Sequence, residues 1–122
     1  MCIRDSYYSA LEMFRDVRGG IWSEASQGRS VDIYRRNLQR TYVDRMGYLL
    51  TSDGPRNRFN FRGFEGPMVY NISTSDVRAL VRGELKVLRS RLRSAKGAGV
   101  NTVTRYHYED VIARIDQLLD PK

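Results

Sequence analysis

The sequence predicts an all-α fold: an antiparallel bundle of about four helices with one long loop that contains aromatic residues. Four stretches carry apolar residues at steps of three and four, the spacing that places side chains on one face of a helix. Short connectors and one long connector separate these stretches, as in bundles of antiparallel helices. Of the 122 residues, 41% are hydrophobic and 29% are charged, which is typical of one globular domain.

The first helical stretch is expected to begin near Ser9, because Ser9 and Glu12 have the spacing of a capping box. Its apolar stripe consists of Leu11, Phe14, Val17, Ile21 and Ala25. Gly19 and Gly20 each cost about 1 kcal/mol in a helix, so we expect a kink or a break there. Gly28 is expected to end the helix.

The second helix has Ser30 or Asp32 as its predicted N-cap and Gly54-Pro55 as its stop signal. Its predicted apolar stripe is Tyr34, Leu38, Tyr42, Met46 and Leu49. The helical pattern then fails over residues 52–72, which are interpreted as a long loop. Within this loop, residues 59–61 and 68–70 are compatible with a loose hairpin. Its aromatic residues are expected to anchor the loop on the bundle: Phe59, Phe61, Phe64 and Tyr70.

The third helix is predicted to begin with a capping box made by Ser73 and Asp76 and to end at Gly97 and Gly99. Its apolar stripe is Val77, Leu80, Val81, Leu85, Leu88, Leu92 and Ala95. The last helix is predicted to begin at Asn101 or Thr102 and to end at Asp120-Pro121, with an apolar face of Tyr108, Val111, Ile115 and Leu118. The predicted core of the whole domain is Leu38, Tyr42, Leu80, Leu85, Leu88, Val111, Ile115 and Leu118.

The formal net charge is +7, and arginine supplies most of the positive charge. Such a surface is expected to meet an acidic partner. Five basic residues lie on one face of the third helix by their spacing: Arg78, Arg82, Lys86, Arg89 and Arg93. A second basic patch on the second helix consists of Arg35, Arg36 and Arg40.

The basic residues could follow phosphates, or they could face solvent and acidic protein surface. We favour the second interpretation, because base stacking needs exposed aromatic residues and most helix aromatics fall in the apolar stripes. Carboxylates within helical reach are expected to neutralise part of the basic stripe: Asp76, Glu84, Glu109 and Asp116.

The sequence contains no complete catalytic site and no complete set of metal ligands. Zinc needs three or four converging ligands, whereas His107 is the single histidine, with Glu109 and Asp110 beside it. We therefore expect His107 to make ordinary hydrogen bonds at the helix surface or between domains. No serine lies in a nucleophile elbow, and no apolar run has the length of a membrane span.

The first six residues, Met-Cys-Ile-Arg-Asp-Ser, resemble the translation of a sequencing adapter. They are interpreted as a non-native scar, which makes Cys2, the single cysteine, an artefact. Residues 7–122 are then expected to be a C-terminal piece of a longer protein.

Several stretches together resemble the C-terminal region of a large family of bacterial zinc-dependent metalloproteases with a met-zincin-like catalytic domain. They are Asp-Ile-Tyr-Arg-Arg-Asn-Leu-Gln-Arg-Thr-Tyr-Val at 32–43, Ser-Asp-Val-Arg-Ala-Leu-Val-Arg-Gly-Glu-Leu at 75–85, Thr-Arg-Tyr-His-Tyr-Glu-Asp at 104–110, Arg-Ile-Asp at 114–116, Leu-Asp-Pro at 119–121 and Gly-Ile-Trp at 20–22. The resemblance covers nearly everything after the first six residues except the loop at 52–72, which looks like a variable insertion.

The resemblance implies a periplasmic or extracellular parent protein whose zinc-binding His-Glu-x-x-His helix lies far upstream. No such motif is present in these 122 residues, so no catalytic or zinc-binding role is transferred to any of them. The implied role is a non-catalytic helical subdomain whose partner is the catalytic domain of the same protein, with nucleic acid not expected. The alternative from a different class is a stand-alone basic helical module that binds nucleic acid.

Overall fold

The computed structural model describes residues 3–17, 22, 31–62, 69–97 and 100–120. Within these ranges the chain is mainly helical, which confirms the predicted class, and a small sheet is added. The helices are α1 (Ile3–Val17), α2 (Ile33–Thr51), α3 (Thr74–Gly97) and α4 (Thr102–Leu119). Two short strands, β1 (Phe59–Arg62) and β2 (Val69–Ile72), connect α2 to α3.

Helix α1 begins at Ile3 rather than near Ser9, so the predicted capping box at Ser9 is wrong. The reason is that the apolar pattern starts earlier than expected: Tyr7 and Ala10 are fully buried together with Leu11 and Phe14. A helix that buries Tyr7 must already be formed at that position. Residues 3–6 belong to this helix, and the interpretation of residues 1–6 as a scar stays a prediction.

Helix α2 begins where one of the two predicted caps places it. The Asp32 side chain accepts a hydrogen bond from the backbone N–H of Arg35 at 2.8 Å, which satisfies one of the free donors at the helix start. The buried face confirms most of the predicted stripe: Tyr42, Met46 and Leu49 are buried, and Leu38 is half-buried. Tyr34 is exposed, so its prediction as a core residue is wrong. The buried face of α2 includes Gln39 and Val43 instead.

The predicted loose hairpin is confirmed: β1 and β2 pair antiparallel, with Phe59 opposite Ile72. Phe61 is buried, and the Phe59 ring meets the rings of Tyr7 and Tyr8 edge to face at centroid distances of 6.2 and 5.8 Å. Two strands alone are only marginally stable. The hairpin is therefore stabilised by these contacts with α1. Tyr70 is exposed, so its predicted anchoring role is wrong.

A close approach at Gly54 fixes the exit from α2. Gly54 has a φ of +62°, a conformation that favours glycine. A Cβ at this position would lie 2.7 Å from the Thr74 Oγ1 and 2.9 Å from the Tyr7 Cε2. The chain therefore turns between α1 and the start of α3 with no room for a side chain.

Helix α3 begins with the predicted capping box. The Ser73 N–H donates to the Asp76 carboxylate at 2.8 Å, and the Asp76 N–H donates to the Ser73 hydroxyl at 3.2 Å. The predicted stripe is buried except for Leu80, which is 43% exposed and therefore a wrong core prediction. Val77 and Val81, four residues apart, already occupy the face that Leu80 was expected to share.

Helix α4 begins after Asn101, whose side chain accepts from the Thr104 N–H at 2.8 Å. Tyr108, Val111 and Ile115 are buried as predicted, and Leu118 is half-buried. Helix α4 packs on both α3 and α2. The predictions for Gly19, Gly20, Ile21, Ala25, Gly28, Ser30, Phe64, Met68, Gly99 and Pro121 lie outside the described residues.

Helices α2 and α4 lie side by side and run in the same direction. The Val31 N–H donates to the Thr104 hydroxyl at 3.1 Å, near the start of both helices. Further along both helices, the Arg114 guanidinium lies 3.0 Å from the Asp44 carboxylate. Because the order of these contacts is the same on both helices, their N-terminal turns lie at the same end of the molecule.

Candidate interaction surface

The basic stripe predicted on α3 is partly used for contacts inside the molecule. The Arg89 guanidinium lies 2.8 Å from the Asp116 carboxylate, and that of Arg93 lies 3.7 Å from it. Arg78 donates to the Ser52 carbonyl at 2.7 Å. These three arginines therefore connect α3 to α4 and to the end of α2, and each exposed ion pair contributes only about 0–1 kcal/mol.

The two remaining members of the stripe, Arg82 and Lys86, are exposed and have no ion pair with any described residue. Of the carboxylates expected to neutralise the stripe, Asp116 does so. Glu109 pairs instead with Lys96 at 3.7 Å, and Asp76 with Arg58 at 3.5 Å. The structure thus leaves a smaller free basic surface on α3 than the spacing alone predicts.

The second basic patch, on α2, faces helix α4. Arg36 donates to the Val31 carbonyl at 3.2 Å, and Arg40 lies 3.6 Å from the Asp110 carboxylate. The Arg35 backbone N–H closes the cap with Asp32. The stripe on α3 and the patch on α2 therefore pair with different residues of α4, Asp116 and Asp110.

A groove opens between the N-terminal halves of α2 and α4. We call it the α2–α4 groove, with a volume of about 340 Å³ and walls made by Ile33, Arg36, Asn37, Arg40, Val103, Tyr106 and His107. The residues on each helix follow the spacing of a single helical face. Three of its apolar side chains are more than half exposed: Ile33 at 68%, Val103 at 56% and Tyr106 at 67%.

His107 lines this groove but belongs to the core. Its side chain is 2% exposed, and its Nε2 lies 2.5 Å from the Gln39 Oε1. Burial, with Arg40 and Arg36 nearby, lowers the His107 pKa from 6.5 to about 4, so the ring is neutral at pH 7. In that state Nε2 donates to Gln39, and Nδ1 is an acceptor with no donor among the described residues.

The expectation of a surface or interdomain histidine at 107 is therefore wrong, although ordinary hydrogen bonding describes its contact with Gln39 correctly. A signal for burial was present in the sequence, because residues 104, 107, 108, 111 and 115 are all spaced for one helical face. Because Thr104 and His107 are polar, the apolar pattern of α4 does not predict that the core extends to these two residues.

The described residues contain no group of three His, Cys, Asp or Glu side chains placed to hold a metal ion. The carboxylates next to His107 in the sequence point to other partners, since Asp110 pairs with Arg40 and Arg114 and Glu109 with Lys96. None of the helices in the described ranges combines the length and the apolar character needed to cross a membrane.

A second cleft lies between α1 and the chain that leads into β1. It is lined by Tyr7, Tyr8, Gly54, Pro55, Arg56, Asn57, Arg58 and Phe59. The Arg58 guanidinium is already held by the Asn71 side chain and carbonyl, at 2.9 and 2.6 Å. This cleft therefore offers less unused binding chemistry than the α2–α4 groove.

Fold and surface together define a small, mainly helical module with an exposed groove of mixed apolar and arginine character. Comparisons of the chain with protein-family models, with curated proteins and with solved structures found no match.

Proposed function

We propose that this chain is a non-catalytic, C-terminal helical subdomain of an exported zinc-dependent metallopeptidase, where it supports the catalytic domain. The proposal includes a bundle of the four described helices in which helices that follow one another along the chain run antiparallel. It also places the zinc and the catalytic residues in the upstream part of the same protein. Hydrolysis there would use a zinc-bound water with a glutamate as the general base.

The observation that carries the proposal is the α2–α4 groove, in which Ile33, Val103 and Tyr106 are exposed beside two arginines. Exposed apolar side chains that cluster in one place and are rimmed by polar groups are typical of an interaction site. The parent enzyme is proposed from the resemblance of residues 32–43, 75–85 and 104–110 to the family's C-terminal region. The contacts within α3 and α4 support a structural role, because much of the basic stripe is used inside the molecule.

The test begins with the reading frame upstream of Tyr7. We expect it to encode a His-Glu-x-x-His motif, and the encoded protein to hold about one tightly bound zinc per chain. The isolated 122-residue chain is expected to bind no stoichiometric zinc and to hydrolyse no peptide. The matched control is the long protein with the motif's glutamate changed to glutamine, which should keep its zinc and lose activity.

Two results would contradict the proposal. An upstream frame without a zinc motif would remove the parent enzyme. Metal analysis that finds tightly held zinc in the isolated chain would show a site within these residues.

A second candidate function is binding of nucleic acid. It is favoured by one observation, since Tyr106 is exposed in the groove that Arg36 and Arg40 also line, a combination used for base stacking beside phosphates. Sub-micromolar binding of a mixed-sequence oligonucleotide at physiological ionic strength would favour this function. Weak binding only at low salt would not, because any basic protein releases counterions from nucleic acid.

A further inference from the structure

The α2–α4 groove has equivalent positions on two parallel helices. Ile33 and Val103 lie in the first turns of α2 and α4, and one turn later Arg36 stands opposite Tyr106. Arg40 closes the groove beside Asp110. The first turns of α2 and α4 thus contribute aliphatic side chains to the groove, and the following turns of α2 contribute arginines.

The distribution of exposed apolar residues singles out this end of the molecule. Of the eight large hydrophobic side chains exposed in the described residues, four lie in the first two turns of α2 and α4: Ile33, Tyr34, Val103 and Tyr106. Scattered exposed hydrophobic residues need no explanation, but a concentration rimmed by polar groups is typical of a binding surface.

The charges of the groove determine the kind of partner. Two arginines and no carboxylate line it. The positive ends of both helix dipoles lie at this end, and the Asp32 carboxylate caps that of α2. Asp110 offsets part of the charge of Arg40 at 3.6 Å. His107 is neutral, so it adds no positive charge. The complementary surface is therefore one that carries carboxylates.

We propose that the α2–α4 groove is the surface by which this chain docks on the upstream part of its own polypeptide, which inserts an apolar projection surrounded by carboxylates. The proposal rests on the function proposed above. Ile33 and Val103 argue for a protein occupant, because aliphatic side chains contribute apolar burial and cannot stack on bases. A second copy of this chain is disfavoured, since it would bring a like-charged surface into contact.

The experiment compares the labelling of two engineered thiols by a small maleimide, in a Cys2→Ser background. Val103→Cys places one thiol in the groove, and Val87→Cys places the control on the outer face of α3. The two valines are matched, being 56% and 55% exposed. Each is labelled in the isolated 122-residue chain and in the long protein translated from the upstream frame, and thermal unfolding checks that every variant folds.

We expect the groove thiol to react at least about tenfold more slowly in the long protein than in the isolated chain, because the centre of an interface excludes solvent. The control thiol should react at similar rates in both proteins. Adding Arg36→Glu to the long protein should restore much of the groove labelling, because like charges would then meet across the interface. Protection that Arg36→Glu leaves intact would overturn the acidic character of the partner.

The failures of the two proposals are distinguishable. Equal labelling of both thiols in a zinc-binding long protein, or protection of the control thiol alone, would refute the groove as the docking surface and leave the proposed function standing. An upstream frame without a zinc motif would refute the proposed function itself. In the isolated chain, protection of the groove thiol by a mixed-sequence oligonucleotide at physiological salt would assign the groove to nucleic acid. Protection that rises with protein concentration would assign it to a second copy.

Discussion

Acidification should destabilise the fold through the single histidine, His107. The folded protein holds this ring neutral with a pKa of about 4, whereas its ordinary pKa is 6.5. Between these two pH values the unfolded chain binds a proton that the folded chain does not. Stability is therefore fully present above about pH 6.5 and falls as the pH decreases toward about 4. Below that value this contribution changes no further.

The size of the effect follows from the difference in pKa. A difference of about 2.5 corresponds to a limit of about 3 kcal/mol at 1.36 kcal/mol for each pKa unit, and about 2 kcal/mol of this is lost by about pH 5. The groups that cause it are the apolar surroundings, followed by Arg40 and Arg36. The Asp76 carboxylate lies outside this window, because hydrogen bonds from Ser73 lower its pKa below the ordinary 3.8.

The assay is urea unfolding at several pH values between about 4.5 and 7.5, for the original chain and for His107→Gln. The variant should lose most of the pH dependence, whatever its stability at neutral pH. Because His107 is the single histidine, its ring protons can also be followed directly by NMR. A folded-state pKa near 6.5, or equal pH slopes for the two proteins, would refute the burial of His107 beside Arg40 and Arg36 as the cause.

Three further predictions concern stability and can be measured by thermal or urea unfolding. Leu88→Ala should cost about 2–5 kcal/mol because the side chain is buried, whereas Val87→Ala on the exposed face should stay within about 0.5 kcal/mol; equal effects would contradict the helix orientation. Gly54→Ala should destabilise by at least about 1 kcal/mol because of its positive φ and the close neighbours of a Cβ. Gly83→Ala, in open space within α3, should instead stabilise by about 0.5–1 kcal/mol, and a loss there would contradict its exposure. Ser73→Ala should cost about 1 kcal/mol, and an unchanged midpoint would show that the capping box does not hold the helix start.

Among the helices of the described residues, local signals in the sequence are sufficient to predict the starts and ends of three of four. Asp32, Ser73 and Asn101 were predictable as caps because capping depends on residues three positions apart. The first helix begins earlier than predicted, because its apolar pattern already includes Tyr7 and the capping pattern at Ser9 lies inside the helix. A local motif inside a helix can imitate a helix start.

Burial at the edges of the helix faces was less predictable, because it depends on which neighbour each helix meets. Tyr34 and Leu80 have apolar spacing, yet the neighbouring helices do not cover them. Gln39 and His107 lack apolar identity, yet they meet each other between α2 and α4. The sequence alone could not reveal that these two helices lie side by side, and the groove depends on that contact.

The parallel placement of α2 and α4 also has a consequence for folding. Two parallel helices cannot be joined by a tight turn, so the chain must travel back along α3 before α4 can meet α2. The contacts that define the groove join residues far apart in sequence, such as Gln39 with His107 and Val31 with Thr104, whereas α3 and α4 are neighbours along the chain. Closing the longer loop costs more entropy, and contacts of this kind slow folding. We therefore expect the α3–α4 pair to form early and the groove to be completed last. A partner that recognises the groove would then bind only chains that have finished folding.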